Sequence, residues 1–395
     1  MSPVPQTIDF AGAARASWDV VVVGAGCAGA LAAREVARHG FKVLVVDKAG
    51  FPRWKVCGCC LNVRAQDTLR AAGLSRLLSE CNAVPIDSLR LAAGNRVATI
   101  PLPGYASLSR ETLDAALVQS AIEAGCQFLP RTRASAGDVS AQARTLRLRQ
   151  DETTREVSAR LVLAADGLGG GLLRRDGEIE PSVRAGSRIG AGTIASHAPE
   201  AYRPGIIYMA CGDGGYVGLV RLEDGRLDIA AAFDADYVRR EGGLARAASR
   251  ILDSAGLPGI VNLEQLTWRG TPALTRTATR LSAHRALVLG DAAGYVEPFT
   301  GEGMAWAFSS ALAAAKLVPE AVARFDATVE SAWKREHRRI VQRRQFVCRV
   351  VAAGLRRPAL VRHSLNLLSW APVLAGPFVR HVNAPVRVPE GVPEP

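Results

Sequence analysis

Long apolar runs are missing from this chain. No stretch of its 395 residues approaches the ~18–20 uncharged positions that a membrane-spanning helix needs, and the best candidate, 365–379, is broken by Pro372 and Pro377. The N-terminus lacks the basic start and apolar stretch of a signal peptide, and its first apolar run, 20–23, leads straight into a glycine loop. Eight cysteines without a targeting signal fit a reducing compartment better than a disulfide framework, so a soluble cytoplasmic protein is expected. Histidine is scarce: none of the six has a partner at a catalytic spacing, and no Cys or His pairs stand at zinc-ligand spacing, so no metal site is expected. Aromatic residues are 6% of the chain and no nucleic-acid-binding module is recognisable, which argues against a nucleic-acid partner. Lysine is nearly absent, with only five among 49 basic residues.

What is present is an ordinary globular balance, 48% hydrophobic and 22% charged, in a length that suggests two or three domains. The net charge of +12 is local. Residues 331–381 hold eleven Lys or Arg against one acid, Glu336, so the remainder is close to neutral.

The pattern along the chain predicts an α/β protein in which a Rossmann-like nucleotide-binding domain is interleaved with an antiparallel β-sheet substrate domain, followed by a helical tail. A buried strand at 18–23, the loop Gly24-Ala-Gly-Cys-Ala-Gly29, a helix to about His39 and a second strand at 41–46 closed by Asp47 form one βαβ unit. Residues 86–102 read as a hairpin turning at Gly94-Asn95, 110–125 as a helix, and 161–165 as a strand running into Asp166-Gly167. Between 186 and 271 the pattern alternates, with strands at 217–221 and 227–231 around Asp224-Gly225. A strand at 286–289 and a helix from Gly303 return to the nucleotide-binding pattern. The expected division is 1–85, 103–185 and 276–330 for the nucleotide-binding domain, 86–102 and 186–275 for the substrate domain, and 331–395 for the tail, broken at Gly354, Pro358 and Pro372.

Each glycine of the loop has a reason. Gly24 allows the tight turn, Gly26 lets backbone approach a pyrophosphate, and Gly29 brings helix and strand together, while the helix N-terminus offers free N–H groups and partial positive charge. Asp47, eighteen residues beyond Gly29, can accept both ribose hydroxyls of an adenosine and would repel a 2′-phosphate, which suits FAD or NAD. The segment 287–307 selects FAD. Its strand ends in Gly290-Asp291, whose carboxylate can bind a ribityl chain, and Thr300-Gly301-Glu302-Gly303 opens a helix able to stabilise negative charge on a flavin.

In these segments, and in Ala164-Ala-Asp166-Gly167, the chain resembles the FAD-dependent group of single-component aromatic hydroxylases, geranylgeranyl reductases and flavin halogenases. The resemblance covers most of 18–320 and implies that Arg110, in Ser109-Arg110-Glu-Thr-Leu-Asp114, and Asp166 contact the cofactor. It also implies NAD(P)H as a transient reductant with no nicotinamide domain of its own. The halogenase signature Trp-x-Trp-x-Ile-Pro is absent. The segment Phe51-Pro-Arg53-Trp-Lys55-Val-Cys57-Gly58 is similar to the reductase branch, yet Tyr216-Val-Gly-Leu-Val220 stands where that branch has Tyr-x-Trp-x-Phe-Pro. The activity first implied is a monooxygenase that uses NAD(P)H and O₂ to hydroxylate a small apolar aromatic or polyketide-like secondary metabolite. The alternative is a reductase of carbon–carbon double bonds in an isoprenoid or lipid.

Three features leave further readings open. Cys57 and Cys60 form a C-x-x-C that either serves as a redox pair, as in flavin disulfide reductases, or packs as small residues against a flavin. A non-catalytic flavin-binding protein is the remaining reading. Glu297 and Glu302 flank the flavin loop as substrate contacts, bases or helix caps. The basic tail, with Ile340, Phe346, Val350 and similar residues among its arginines, suits either packing on its own domain or peripheral contact with an anionic membrane through 331–381.

Overall fold

A computed structural model describes residues 2–94, 96–173, 178–297 and 299–384; Asn95 of the expected hairpin turn and the tail beyond 384 lie outside them. The Val-rich strand Trp18–Val23 is central because all but one of its side chains are buried, as a strand covered on both faces requires. It pairs in parallel with Val43–Val46 on one side and Thr153–Ala164 on the other; Gln127–Leu129 and Ala286–Val288 extend the sheet outward, also in parallel. The register aligns Val23, Val46 and Ala164 in one row, with Leu129 and Val288 beside them. Five strands therefore deliver their carboxyl ends to the same edge. Two strands that the sequence pattern did not reveal add to this sheet: Arg144–Gln150 pairs antiparallel onto the first half of Thr153–Ala164, and Arg133–Val139 pairs antiparallel with Arg144–Gln150. Their Arg, Ser and Thr content hides the alternation.

The helix Cys27–Arg38 packs on this sheet and against the long helix Gly303–Ala323, where alanines and glycine let the two axes approach. The second sheet has the order Arg269–Ala273, Ile189–Ala195, Leu227–Phe233, Gly215–Arg221, Ile206–Gly212, Val84–Ala93, Arg96–Ser107, Cys60–Leu61. The hairpin expected at 86–102 is thus longer, and it joins this sheet. One pair departs from the antiparallel expectation: Val84–Ala93 runs parallel to Ile206–Gly212. These two strands come from widely separated parts of the chain, so no hairpin fixes their relative direction. One face of the sheet is covered by Ala235–Glu241 and Leu244–Ser254, whose Ala247, Ile251 and Leu252 meet Val217, Leu219 and Ile229.

The tail covers the opposite face. Its helices break where the sequence predicts, at Gly354, Pro358 and Pro372, and Pro358 takes a first-turn position where its missing N–H costs nothing. Leu365 packs against Leu91, Ala98 and Tyr216, and Ala375 against Ile86, Ile100 and Val220. A π-turn at Arg338–Gln342 lies where Arg64 donates to the Ile340 carbonyl at 3.2 Å, drawing that group away from the regular helical ladder. Among the described residues no helix is long and apolar enough to cross a membrane.

His337 ends the helix Ala327–His337, 1% exposed, with its ring 5.5 Å from that of Trp333 and neither ring nitrogen hydrogen-bonded. Burial lowers its pKa from 6.5 to about 4. Between these values the unfolded chain binds a proton that the folded protein refuses, so stability falls as pH drops from 6.5 toward 4. The expected loss is about 3 kcal/mol. Urea unfolding at pH 7 and pH 4 should show that His337→Leu removes about this much of the acid sensitivity; an unchanged difference would place it elsewhere.

Candidate functional site

Four of the five parallel strands hand over to a residue with chemical capability at the aligned edge: Val23 to Gly24, Val46 to Asp47, Ala164 to Ala165-Asp166, and Val288 to Leu289-Gly290-Asp291. This is the crevice in which open α/β sheets bind ligands. Gly24 has φ +99°, and a Cβ there would lie 2.4 Å from the Ala165 carbonyl oxygen. A Cβ at Gly29 would lie 1.8 Å from the Gly24 oxygen. Both positions exclude any side chain. Gly26 differs: its nearest neighbours would be guanidinium nitrogens of Arg110 and Arg53, each at 3.6 Å. It begins the helix Cys27–Arg38 without a side-chain cap and with no acid in the first turn, so this helix start is left for an outside acceptor.

The two guanidiniums are organised by one buried carboxylate. Arg110 donates to Asp114 through Nε at 2.9 Å and through a terminal nitrogen at 2.8 Å, and Arg53 approaches the same carboxylate at 3.2 Å. Burial pushes Asp114 upward, but Arg110 and Arg53 outweigh it and hold its pKa low. Burial likewise opposes charge on Arg110, and Asp114 overcomes that and raises its pKa. A helix N-terminus facing two fixed guanidiniums fits a pyrophosphate. Asp47, buried beside it, accepts from the Ala25 N–H at 2.7 Å and the Ala49 N–H at 2.8 Å, one bond per oxygen, which leaves lone pairs for ribose hydroxyls. These residues fit FAD. Sequence reasoning quoted Arg53 and Asp114 within motifs but assigned them no binding role; the i, i+4 spacing of Arg110 and Asp114 was the available signal.

At the other end of the crevice Lys55 stands 3.6 Å from Asp291. Asp166 is occupied locally, accepting from the N–H groups of Gly171 at 2.6 Å and Leu172 at 2.9 Å. Gly301 has φ +69° with no atom near its absent Cβ, and Gly303 opens the long helix beside the Tyr295 ring. The Thr300 hydroxyl lies 2.9 Å from the Cys348 sulfur and donates to Glu302 at 3.3 Å. Neither glutamate acts as a helix cap. Glu302, though it precedes the helix, pairs instead with Arg64 at 3.4 Å and accepts from Cys348 at 3.0 Å, and Glu297 pairs with Arg188 at 3.0 Å.

The turn Cys57-Gly-Cys59-Cys60 lies between the crevice and the second sheet. All three cysteines are free; the Cys59 N–H donates to the Cys57 sulfur at 3.4 Å, and the Cys60 thiol donates to the Gly58 carbonyl at 2.9 Å. Hydrogen bonding from Cys59, assisted by Arg110 and opposed by burial, pulls the Cys57 pKa down to about 5. Burial pushes Cys60 up, and nearby Asp228 adds to this. Asp228 itself is 1% exposed, and burial, reinforced by Cys57, raises its pKa well above the carboxylate range, while its Oδ2 has no hydrogen-bond partner. A thiol whose pKa is lowered and a carboxyl whose pKa is raised thus act on one another, their values driven apart by their surroundings. Asp228 was not foreseen. In Leu227-Asp-Ile-Ala-Ala231 it occupies the alternate position that normally meets water, but here the cysteine turn and the tail cover that face.

The sequence pattern of the FAD binding domain family matches residues 17–342. The chain is similar to the menaquinone reductase of Mycobacterium tuberculosis, 28% identical over 326 residues and 76% of each chain. In structure it resembles a geranylgeranyl bacteriochlorophyll reductase-like protein from Thermoplasma acidophilum (TM-score 0.75, 18% identity, 94% of this chain and 96% of that one). It equally resembles p-nitrophenol 4-monooxygenase from Pseudomonas putida (TM-score 0.75, 16% identity, 94% and 99%).

Two measurements probe the site. Asp47→Ala and Arg53→Ala should each weaken FAD binding to the apoprotein about tenfold to a hundredfold, the worth of one charge-assisted hydrogen bond; unaltered titration curves would remove these residues from the cofactor site. Alkylation of Cys57 by iodoacetamide should remain near its plateau at pH 7 and fall as the pH drops through about 5. A midpoint near the ordinary thiol value would show that the neighbouring groups do not hold the thiolate.

Proposed function

The chain belongs to the FAD binding domain family and is a FAD-dependent oxidoreductase, and on that premise we propose that it reduces an isoprenoid or lipid substrate, with NAD(P)H as the source of electrons. The observation that carries this reading is Asp228, a buried carboxyl whose pKa burial raises, with an unpartnered oxygen on an apolar sheet face. Saturating a carbon–carbon double bond requires a hydride and a proton. When bound, FAD supplies the hydride chemistry. The chain supplies the rest. The Cys27–Arg38 helix start with Arg53 and Arg110 binds the pyrophosphate, and Asp47 holds the ribose. The sheet and tail exclude water, and Asp228 Oδ2 delivers the proton. Cys57, held as a thiolate near Arg110, favours the protonated state of Asp228 by repelling its negative charge. Similarity to a menaquinone reductase supports a reductive role for the same arrangement.

Hydroxylation, the first expectation from sequence, has no evident need of a neutral acid at this position, and the experiment separates the two. Asp228→Asn should lower substrate turnover by about 10²–10⁴-fold, the usual worth of a general acid, while FAD content and the rate of flavin bleaching by NAD(P)H stay unchanged. In the unsubstituted protein turnover should fall once the pH is high enough to ionise Asp228, whose pKa is raised by burial, and the variant should lose that limb. Anaerobic turnover that saturates an alkene supports the proposal. Label from ¹⁸O₂ in the product, with no anaerobic turnover, would establish the hydroxylase in its place.

A further inference from the structure

The tail has two faces of opposite character. Inward, Leu368 and Ala375 pack into the apolar cluster that contains Cys57, Cys59 and Cys60. Outward, the helices present large apolar side chains to solvent: Trp370 is 92% exposed, Val373 78% and Phe346 63%, joined by Val350, Leu367 and Phe378. Among the described residues, eight of the eleven large exposed apolar side chains lie between 346 and 378. Such concentration marks an interaction surface and not the usual scatter.

Charge identifies the occupant. The same helices carry Arg343, Arg357, Arg362 and Arg380, all exposed and, among the described residues, in no recorded ion pair. A second copy docked symmetrically would set this patch on itself, arginine against arginine. An anionic bilayer accepts both features, with headgroup phosphates for the guanidiniums and the acyl boundary for Trp370, Val373 and Phe378. We propose that the outer face of the helices between Arg343 and Asn383 docks the protein on an anionic phospholipid surface, lying in the interface without crossing it. The same segment packs its inner side against the cluster that holds the cysteine turn. The docking itself holds whichever reaction the site performs.

The test is flotation of the FAD-loaded, full-length protein with phosphatidylglycerol-containing vesicles and with pure phosphatidylcholine vesicles. Binding is expected only to the anionic vesicles and should weaken with salt. Arg357→Gln with Arg362→Gln and Arg380→Gln should lower partitioning on the order of a hundredfold. Trp370→Ser should lower it several-fold, and neither variant should change FAD content, which also reports that each is folded. Failure to float at low salt, or flotation indifferent to both variants, would overturn the proposal. So would a concentration-dependent dimer that Trp370→Ser dissolves, which would make the patch a self-interface.

Discussion

Asp114 is a small group on which much rests. It is fully buried, and it engages Arg110 and Arg53, two cations brought from distant parts of the chain to the start of one helix. Without that carboxylate, two guanidiniums would face a partially positive helix terminus, an arrangement that repels itself until an anion arrives. With it, the cradle is assembled in advance and keeps a net positive character. Arg110 also reaches past the cradle, because its charge contributes to holding Cys57 as a thiolate, which in turn favours the protonated form of Asp228. Cofactor binding and the proposed proton source are thus linked through one chain of charges.

The parts legible in sequence are those where a local rule has a single solution. Gly24 and Gly29 cannot be replaced because backbone oxygens occupy the space of a Cβ, and such positions reveal themselves as glycines at fixed spacing. Asp47 follows from the length of one helix and one strand, and the breaks of the tail follow from proline chemistry. What stayed hidden depends on contacts between segments. The polar strands Arg133–Val139 and Arg144–Gln150 are held by pairing with each other and, through Arg144–Gln150, with Thr153–Ala164, and not by their own composition. Asp228 reads as a water-facing residue until the cysteine turn, from far earlier in the chain, is laid beside it. Its role belongs to the covering.

The tail shows why a charge count alone could not choose between packing and surface binding. Both readings predicted an amphipathic pattern, and the helices are in fact apolar on two sides: one side is consumed by the sheet, and the other is left with Trp370, Val373 and their neighbours. A helix that merely packs has no use for the second side.

Among the described residues, three ion pairs are buried on both sides: Arg110–Asp114, Arg64–Glu302 and Arg188–Glu297. Burying such pairs costs enough desolvation that well-packed apolar groups would often serve stability equally well. Their placement suggests registry instead. Arg64 ties the helix Val63–Ala71 to Glu302 at the start of the long helix and to the π-turn carbonyl of Ile340, and Arg188 ties the entry of the strand Ile189–Ala195 to Glu297. Each joins segments that must meet in one alignment for the crevice to form, whereas apolar contacts would tolerate sliding. The desolvation cost therefore falls where distant segments have to agree on one alignment, and in Arg188–Glu297 where the sheet and nucleotide-binding halves meet.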